Sequence, residues 1–239
     1  SMLACRICSS LELECVIDLG VQRITSRWPV YGDMSTPATP VRLALCRDCG
    51  LVQLMDATPG SELYEHDYGY RSGISNTMRQ HLLDYKNDIL ARVAYVQPGD
   101  IILDIGSNDA TLLNYHDAGL RRIGCDPTGK QFIQFYGEGV ELIPTYFTEQ
   151  TFKAHAGADA RCQIVSSISM FYDLPDPVQF ARDIHACLAD DGIWTCEQSY
   201  LLSMLRTNSI DTICHEHIEY YALTQVCLLY TSDAADDTP

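Results

Sequence analysis

Between Ile101 and Gln198 the chain repeats one pattern, in which a short apolar run meets a turn and then a segment of helical character. The run 101–105 (Ile-Ile-Leu-Asp-Ile) enters the turn Gly-Ser-Asn-Asp-Ala, and 111–115 (Thr-Leu-Leu-Asn-Tyr) opens a helix. Residues 122–126, 163–169 and 193–198 read as further buried strands with helices between them. Strands that alternate with helices require crossovers, and runs apolar on both faces must be covered on both faces. The sequence therefore predicts an α/β fold with a parallel sheet. Upstream, Met78, Leu82, Ile89 and Val93 recur on one helical face, with Ser75 as the expected N-cap and Gln97-Pro98-Gly99 as the stop.

The first 60 residues are short of helical periodicity and rich in turn signals, including Ser-Thr-Pro-Ala-Thr-Pro at 35–40, and they read as a small, loop-rich module. Two C-x-x-C pairs flank that stretch, Cys5 with Cys8 and Cys46 with Cys49. Each spacing lets two thiolates reach one ion from a single tight turn, and two turns complete a tetrahedron. Gly50, directly after Cys49, can adopt the positive φ such a turn needs. Four thiolates leave no open coordination position, so the expected Zn2+ is structural. A redox role for C-x-x-C expects a βαβ setting, which these segments lack. Eleven cysteines is an odd number and the start carries no secretory pattern, so reduced thiols are expected. Cys15, Cys125, Cys162, Cys187, Cys196 and Cys227 stand singly among apolar residues and are expected to be packing residues.

The turn after the first strand of the repeat, Asp104 through Asp109, lies where open α/β sheets bind nucleotides. Gly106 allows close backbone approach, Ser107 and Asn108 line the turn, and Asp126 ends the next strand, where a carboxylate can accept from two ribose hydroxyls. A dinucleotide site wants G-x-G-x-x-G for its pyrophosphate, yet Asn108 and Ala110 stand where further glycines would be. A cationic ligand without phosphate fits better. S-adenosylmethionine is such a ligand, and its sulfonium suits the acidic Asp104 and Asp109. Alternatively, either aspartate only caps the following helix.

A net charge of −16 opposes binding to nucleic acid or to anionic membrane surfaces. No run approaches the ~20 apolar residues that span a bilayer, and a cytoplasmic location is expected by default.

The segments CRIC, CRDCGLVQL, YGYRSGIS, DIGSNDATLL, GCDPTG and CHEHIEYY, in this order, resemble the zinc-containing sugar C-methyltransferase family. The resemblance reaches about Gln225. It implies a class I S-adenosylmethionine-dependent methyltransferase with a Rossmann-like parallel sheet, a zinc-binding module before it and a second α/β domain after it. The implied reaction methylates a carbon α to a ketone on a nucleotide-linked deoxysugar, a small-molecule substrate. The resemblance makes His217 the base, sets Glu216 beside it and matches the motif tyrosine best to Tyr70, whereas His215 is expected to be structural. Cys214 stands where some members carry Tyr, Phe171 where some carry His, and Ala110 where Gly is usual. The expected organisation is 1–60 zinc module, 61–226 methyltransferase domain lacking its C-terminal strands, and 227–239 a disordered tail foreign to the fold. Alternatives are an O- or N-methyltransferase, a dinucleotide-dependent oxidoreductase, or an inactive fragment that binds donor and zinc.

Overall fold

The computed structural model describes residues 3–25, 31, 35–60, 63, 69–93 and 95–236. Contacts divide the chain into two units, one made of Ser1–Gly69, Phe171–Arg182 and Gln198–Pro239, the other of Tyr70–Met170 and Asp183–Glu197.

The first unit opens with strands β1 (Leu13–Arg23), β2 (Ala38–Cys46) and β3 (Val52–Leu54). β1 pairs antiparallel with β2, from Leu13 opposite Cys46 to Arg23 opposite Ala38, and β2 pairs with β3 through Leu43 opposite Leu54. This corrects the loop-rich expectation. Register shifts between Cys15 and Ile17 and between Asp18 and Val21 break the two-residue alternation that would have revealed β1. Most of β1 is also exposed, so no buried face imprints itself on its sequence. Cys15 lies on this exposed strand and Cys196 and Cys227 are exposed too, whereas Cys125, Cys162 and Cys187 are buried as expected.

The second unit starts with α1 (Asn76–Arg92), where the Ser75 Oγ caps the helix by accepting from the Met78 N–H at 3.4 Å. The helix stops at Arg92 with Val93 already extended, a few residues before the Pro-Gly stop. There follow β4 (Ile101–Ile105), α2 (Thr111–Tyr115), β5 (Arg121–Cys125), β6 (Val140–Ile143), α3 (Glu149–Ala156), β7 (Cys162–Ile168) and β8 (Leu188–Glu197), while α4 (Pro177–Cys187) begins among residues of the first unit and ends in the second. The strands form one parallel sheet in the order β6-β5-β4-β7-β8, as the sequence predicts, with β6 the strand that pattern reading missed. The order runs outward from β4 to β6 on one side and from β7 to β8 on the other, so the switch point lies at the carboxyl ends of β4 and β7. Ile102, Ile164, Leu113 and Ile89 pack as a buried cluster against the sheet. Each such side chain contributes about 1.5–3 kcal/mol by leaving water, which holds β4 and β7 in the sheet.

The chain then returns to the first unit as α5 (Leu201–Thr207), β9 (Glu219–Tyr220) and α6 (Leu223–Asp236). β9 adds to the antiparallel sheet beside β3, with Val52 opposite Tyr220 and Gln53 opposite Glu219. Val41, Leu43, Leu54, Ile218 and Tyr220 form its core. α6 continues to Asp236 where disorder was expected from residue 227. Leu and Ala are strong helix formers and carry the backbone through the acidic stretch. The last residues of the tail, 237–239, lie outside the described residues. No helix among the described residues is long and apolar enough to cross a membrane.

Candidate functional site

In the first unit Cys5, Cys8, Cys46 and Cys49 converge, with every sulfur within 4.8 Å of the others. Cys5 and Cys49 Sγ are 3.5 Å apart, Cys8 and Cys46 Sγ 3.6 Å. Sulfurs at about 2.3 Å from a tetrahedral zinc lie roughly 3.8 Å from one another, so the donor set fits that ion. Two equivalent turns build the cluster. Ser9 N–H donates to Cys5 O at 2.9 Å, Gly50 N–H to Cys46 O at 2.9 Å, and both residues take positive φ, 59° and 76°. Burial works against ionisation of the Cys46 thiol, but the Cys49 and Asp48 N–H groups and the Cys8 thiol outweigh it and bring it down to about 7. Cys5 and Cys49 are pushed up by burial, which a bound cation would reverse.

The second unit brings Asp104, Gly106, Ser107, Asn108 and Asp126 together at the carboxyl ends of β4 and β5. Gly106, at φ +78°, is exposed in a stretch whose other members, Asp104 to Ala110, are buried, so ligand access is through its backbone. A Cβ there would lie 3.1 Å from Met170 Cγ. Asn108 and Ala110 also take positive φ, 49° and 59°. The Asn108 N–H donates to Asp126 Oδ2 at 2.7 Å, while Asp126 Oδ1 accepts from the Thr128 N–H at 2.6 Å and the Thr128 hydroxyl at 2.7 Å. Asp126 therefore ties the two strand ends together as well as standing where a ribose acceptor is expected. Ser107 Oγ donates to the Tyr136 hydroxyl at 2.9 Å, and that hydroxyl donates to Asn108 O at 3.2 Å.

Asp104 accepts from Ser166 Oγ at 2.7 Å and is fully enclosed. Burial pushes its carboxyl up to about 7; the Ser166 bond opposes this and the nearby Asp126 charge adds to it. Both Asp109 oxygens are engaged within the protein, Oδ1 accepting from the Thr111 N–H and hydroxyl and Oδ2 from the Gly73 N–H at 2.9 Å. Its bonds to Thr111, the first residue of α2, give it a helix-end role. The segment around Tyr70 is pinned to the same turn, which no sequence signal marks. Asn108 Nδ2 donates to Tyr70 O at 3.0 Å, and the Ser72 N–H donates to Asn108 Oδ1 at 3.0 Å. Arg71 lies over the Phe135 ring at 4.0 Å. The Tyr70 side chain itself is half exposed.

The histidine motif belongs to the first unit. His215 is buried, with Nε2 3.4 Å from Thr39 O. His217 Nδ1 lies 2.8 Å from Thr212 O, which fixes the proton on Nδ1 and leaves Nε2 with its lone pair. The ring meets Tyr172 edge-on at 4.4 Å. Burial lowers the pKa of His217, and the Thr212 bond and the Glu216 charge only partly counter it. Glu216 Oε2 accepts from the Thr25 hydroxyl at 2.5 Å. Glu219 has a fully buried side chain, 3.4 Å from Arg6 Nε; burial pushes its carboxyl up and Arg6 pulls it down.

A five-stranded parallel sheet with a glycine turn at its switch point is a Rossmann-like fold. The plantazolicin methyltransferase BpumL, solved in complex with SAH, shares it with a TM-score of 0.50 at 15% identity over 66% of this chain and 64% of that one. Residues 5–64, which contain all four cysteines, match the family described as "Putative zinc binding domain". The C-methyltransferase NovU of Streptomyces niveus is 28% identical over 231 residues, covering 95% of this chain. The chain is thus similar to a C-methyltransferase and carries a segment similar to a zinc-binding domain. It spans about half the length of that curated relative, 54%.

Proposed function

We propose that this chain carries the donor-binding and proton-abstracting parts of an S-adenosylmethionine-dependent C-methyltransferase acting on a carbon α to a ketone in a nucleotide-linked deoxysugar. When bound, S-adenosylmethionine supplies an electrophilic methyl group. Gly106, Ser107 and Asn108 form the turn against which the donor rests, and Asp104 and Asp126 supply acidic character beside it. Asp126 Oδ2 keeps acceptor capacity beyond the Asn108 bond for ribose hydroxyls.

The observation that carries the reading is the state of His217. A neutral imidazole whose Nδ1–H is committed to Thr212 O presents a basic Nε2, which suits removal of a proton α to a ketone. A positioned base of this kind contributes typically 10²- to 10⁴-fold. Methyl transfer to oxygen or nitrogen would need no enolate, so a His217 with no role in carbon deprotonation would favour that second reading. Glu216 lies beside the base, and Tyr70 is the candidate hydroxyl for the developing enolate oxygen. Cytoplasmic residence belongs to the same proposal.

The test is mass spectrometry of the protein with S-adenosylmethionine and a panel of nucleotide-linked 4-keto-6-deoxysugars. A gain of one methyl on carbon is the expected result. Methylation of a hydroxyl or amine instead, or of no member of the panel by the full-length relative under the same conditions, would overturn it.

A further inference from the structure

Arg6 stands inside the first metal turn, between Cys5 and Cys8, yet its side chain is only 10% exposed and reaches away from the sulfurs. Its N–H donates to Gln53 Oε1 at 3.0 Å, and the Gln53 amide returns a bond to Ala4 O at 3.1 Å. Its Nη1 donates to Leu54 O at 2.9 Å, and its Nε faces the buried Glu219. One residue of a metal turn thus holds two residues of β3 and one of β9.

Those contacts lead to the histidine motif in two steps. The Leu54 N–H donates to Ile218 O at 2.8 Å, and the Ile218 N–H donates to Tyr172 O at 2.8 Å. Ile218 is therefore held on both sides of its backbone, and its neighbour His217 rests its ring on that same Tyr172. An arginine that only neutralised Glu219 would need no bond to Leu54. A zinc that only stapled the first residues would need no arginine reaching β3 and β9.

We infer that the metal turn is a positioning element for His217, acting through Arg6, Leu54 and Ile218. Arg6 is a positioning residue, since it acts through the backbone of its partners. The inference rests on the proposed role of His217 for its catalytic meaning, while its readouts are physical. Should deuterium uptake at the sugar α-carbon show that His217 is not the base, amide exchange and the tautomer of His217 keep their outcome, so the two failures are distinguishable.

The experiment uses the full chain with zinc bound. Arg6→Met, Arg6→Lys and wild type are compared by amide hydrogen exchange at Leu54 and Ile218 and by the nitrogen NMR signature of the His217 tautomer. With one zinc retained per chain, Arg6→Met is expected to speed exchange at both amides by about tenfold, the scale of a released local opening. It should also convert the single Nδ1–H tautomer into a mixture. Arg6→Lys, whose ammonium can still donate to Leu54 O, should restore most of both signals. Unchanged exchange and an unchanged tautomer in zinc-loaded Arg6→Met would overturn the inference. Should Arg6→Met lose its zinc, Glu219→Gln decides, because it frees Arg6 Nε without touching the turn. Faster exchange at Ile218 in that variant supports the inference, and wild-type exchange overturns it.

Discussion

Replacing Asp104 by Asn removes a charge that the fold buries, and the consequence is a reversal of the usual pH dependence of a carboxylate. Burial raises this group from 3.8 to about 7, the Ser166 bond opposes that rise and the Asp126 charge adds to it. A rise of about 3 pH units corresponds to roughly 4 kcal/mol as an upper figure. The native state holds the proton more tightly than the unfolded chain does. Stability from this group is therefore present below about pH 4 and is lost as pH rises toward about 7. Asn keeps an oxygen for the Ser166 hydroxyl, 2.7 Å away, and carries no charge. Asp104→Asn should match the wild type near pH 4 and exceed it by about 1–4 kcal/mol near pH 8. Urea unfolding between these limits measures it, followed by fluorescence of Trp194, which lies in β8 of the same unit, in a Trp28→Phe background. The variant should also bind the sulfonium donor more weakly. Parallel stability curves for the two proteins across this range would refute the enclosed-charge reasoning.

Elemental analysis should find one zinc per chain, and Cys49→Ser should unfold the β1–β3 module because it opens a closed four-thiolate set; unchelated protein without zinc would contradict this. S-adenosylmethionine and its demethylated product should raise the melting temperature while NADH does not. Asp126→Ala strips the acceptor from three donors and should weaken that response, so an unchanged donor affinity in the variant would count against the assignment. In a full-length relative, the counterpart of His217→Ala should abolish deuterium uptake at the sugar carbon and leave donor binding intact, and wild-type uptake would eliminate this residue as base.

What the sequence made legible follows from how each element earns its burial. β4, β5 and β7 are covered on both faces, so their apolar runs were visible, and the turn at Gly106 was visible because a tight strand-to-helix turn needs a flexible residue. β6 was missed because Val140–Ile143 is four residues long and mostly half-buried. β1 was missed because its bulges interrupt alternation. The four cysteines declared themselves by spacing alone. The pinning of the donor turn by Tyr70, Ser72 and Gly73 was invisible, since two of those residues act through backbone N–H groups and one through a carbonyl, and backbone atoms leave no mark on residue type. The same holds for Arg6, whose partners lie 47 and 48 residues further along the chain.

The left-handed residues at positions 106, 108 and 110 carry one more consequence. Alternating handedness turns successive N–H groups toward a common hollow, an arrangement that attracts anions in many proteins. Here the protein supplies its own anion, since the Asp126 carboxylate already accepts the Asn108 N–H. An incoming phosphate would meet a resident negative charge and would have to displace it from hydrogen bonds of 2.6 to 2.7 Å. One N–H of the turn thus has its acceptor supplied by a side chain eighteen residues away. A cation has the opposite experience, since the same carboxylate makes the mouth of the turn attractive to it.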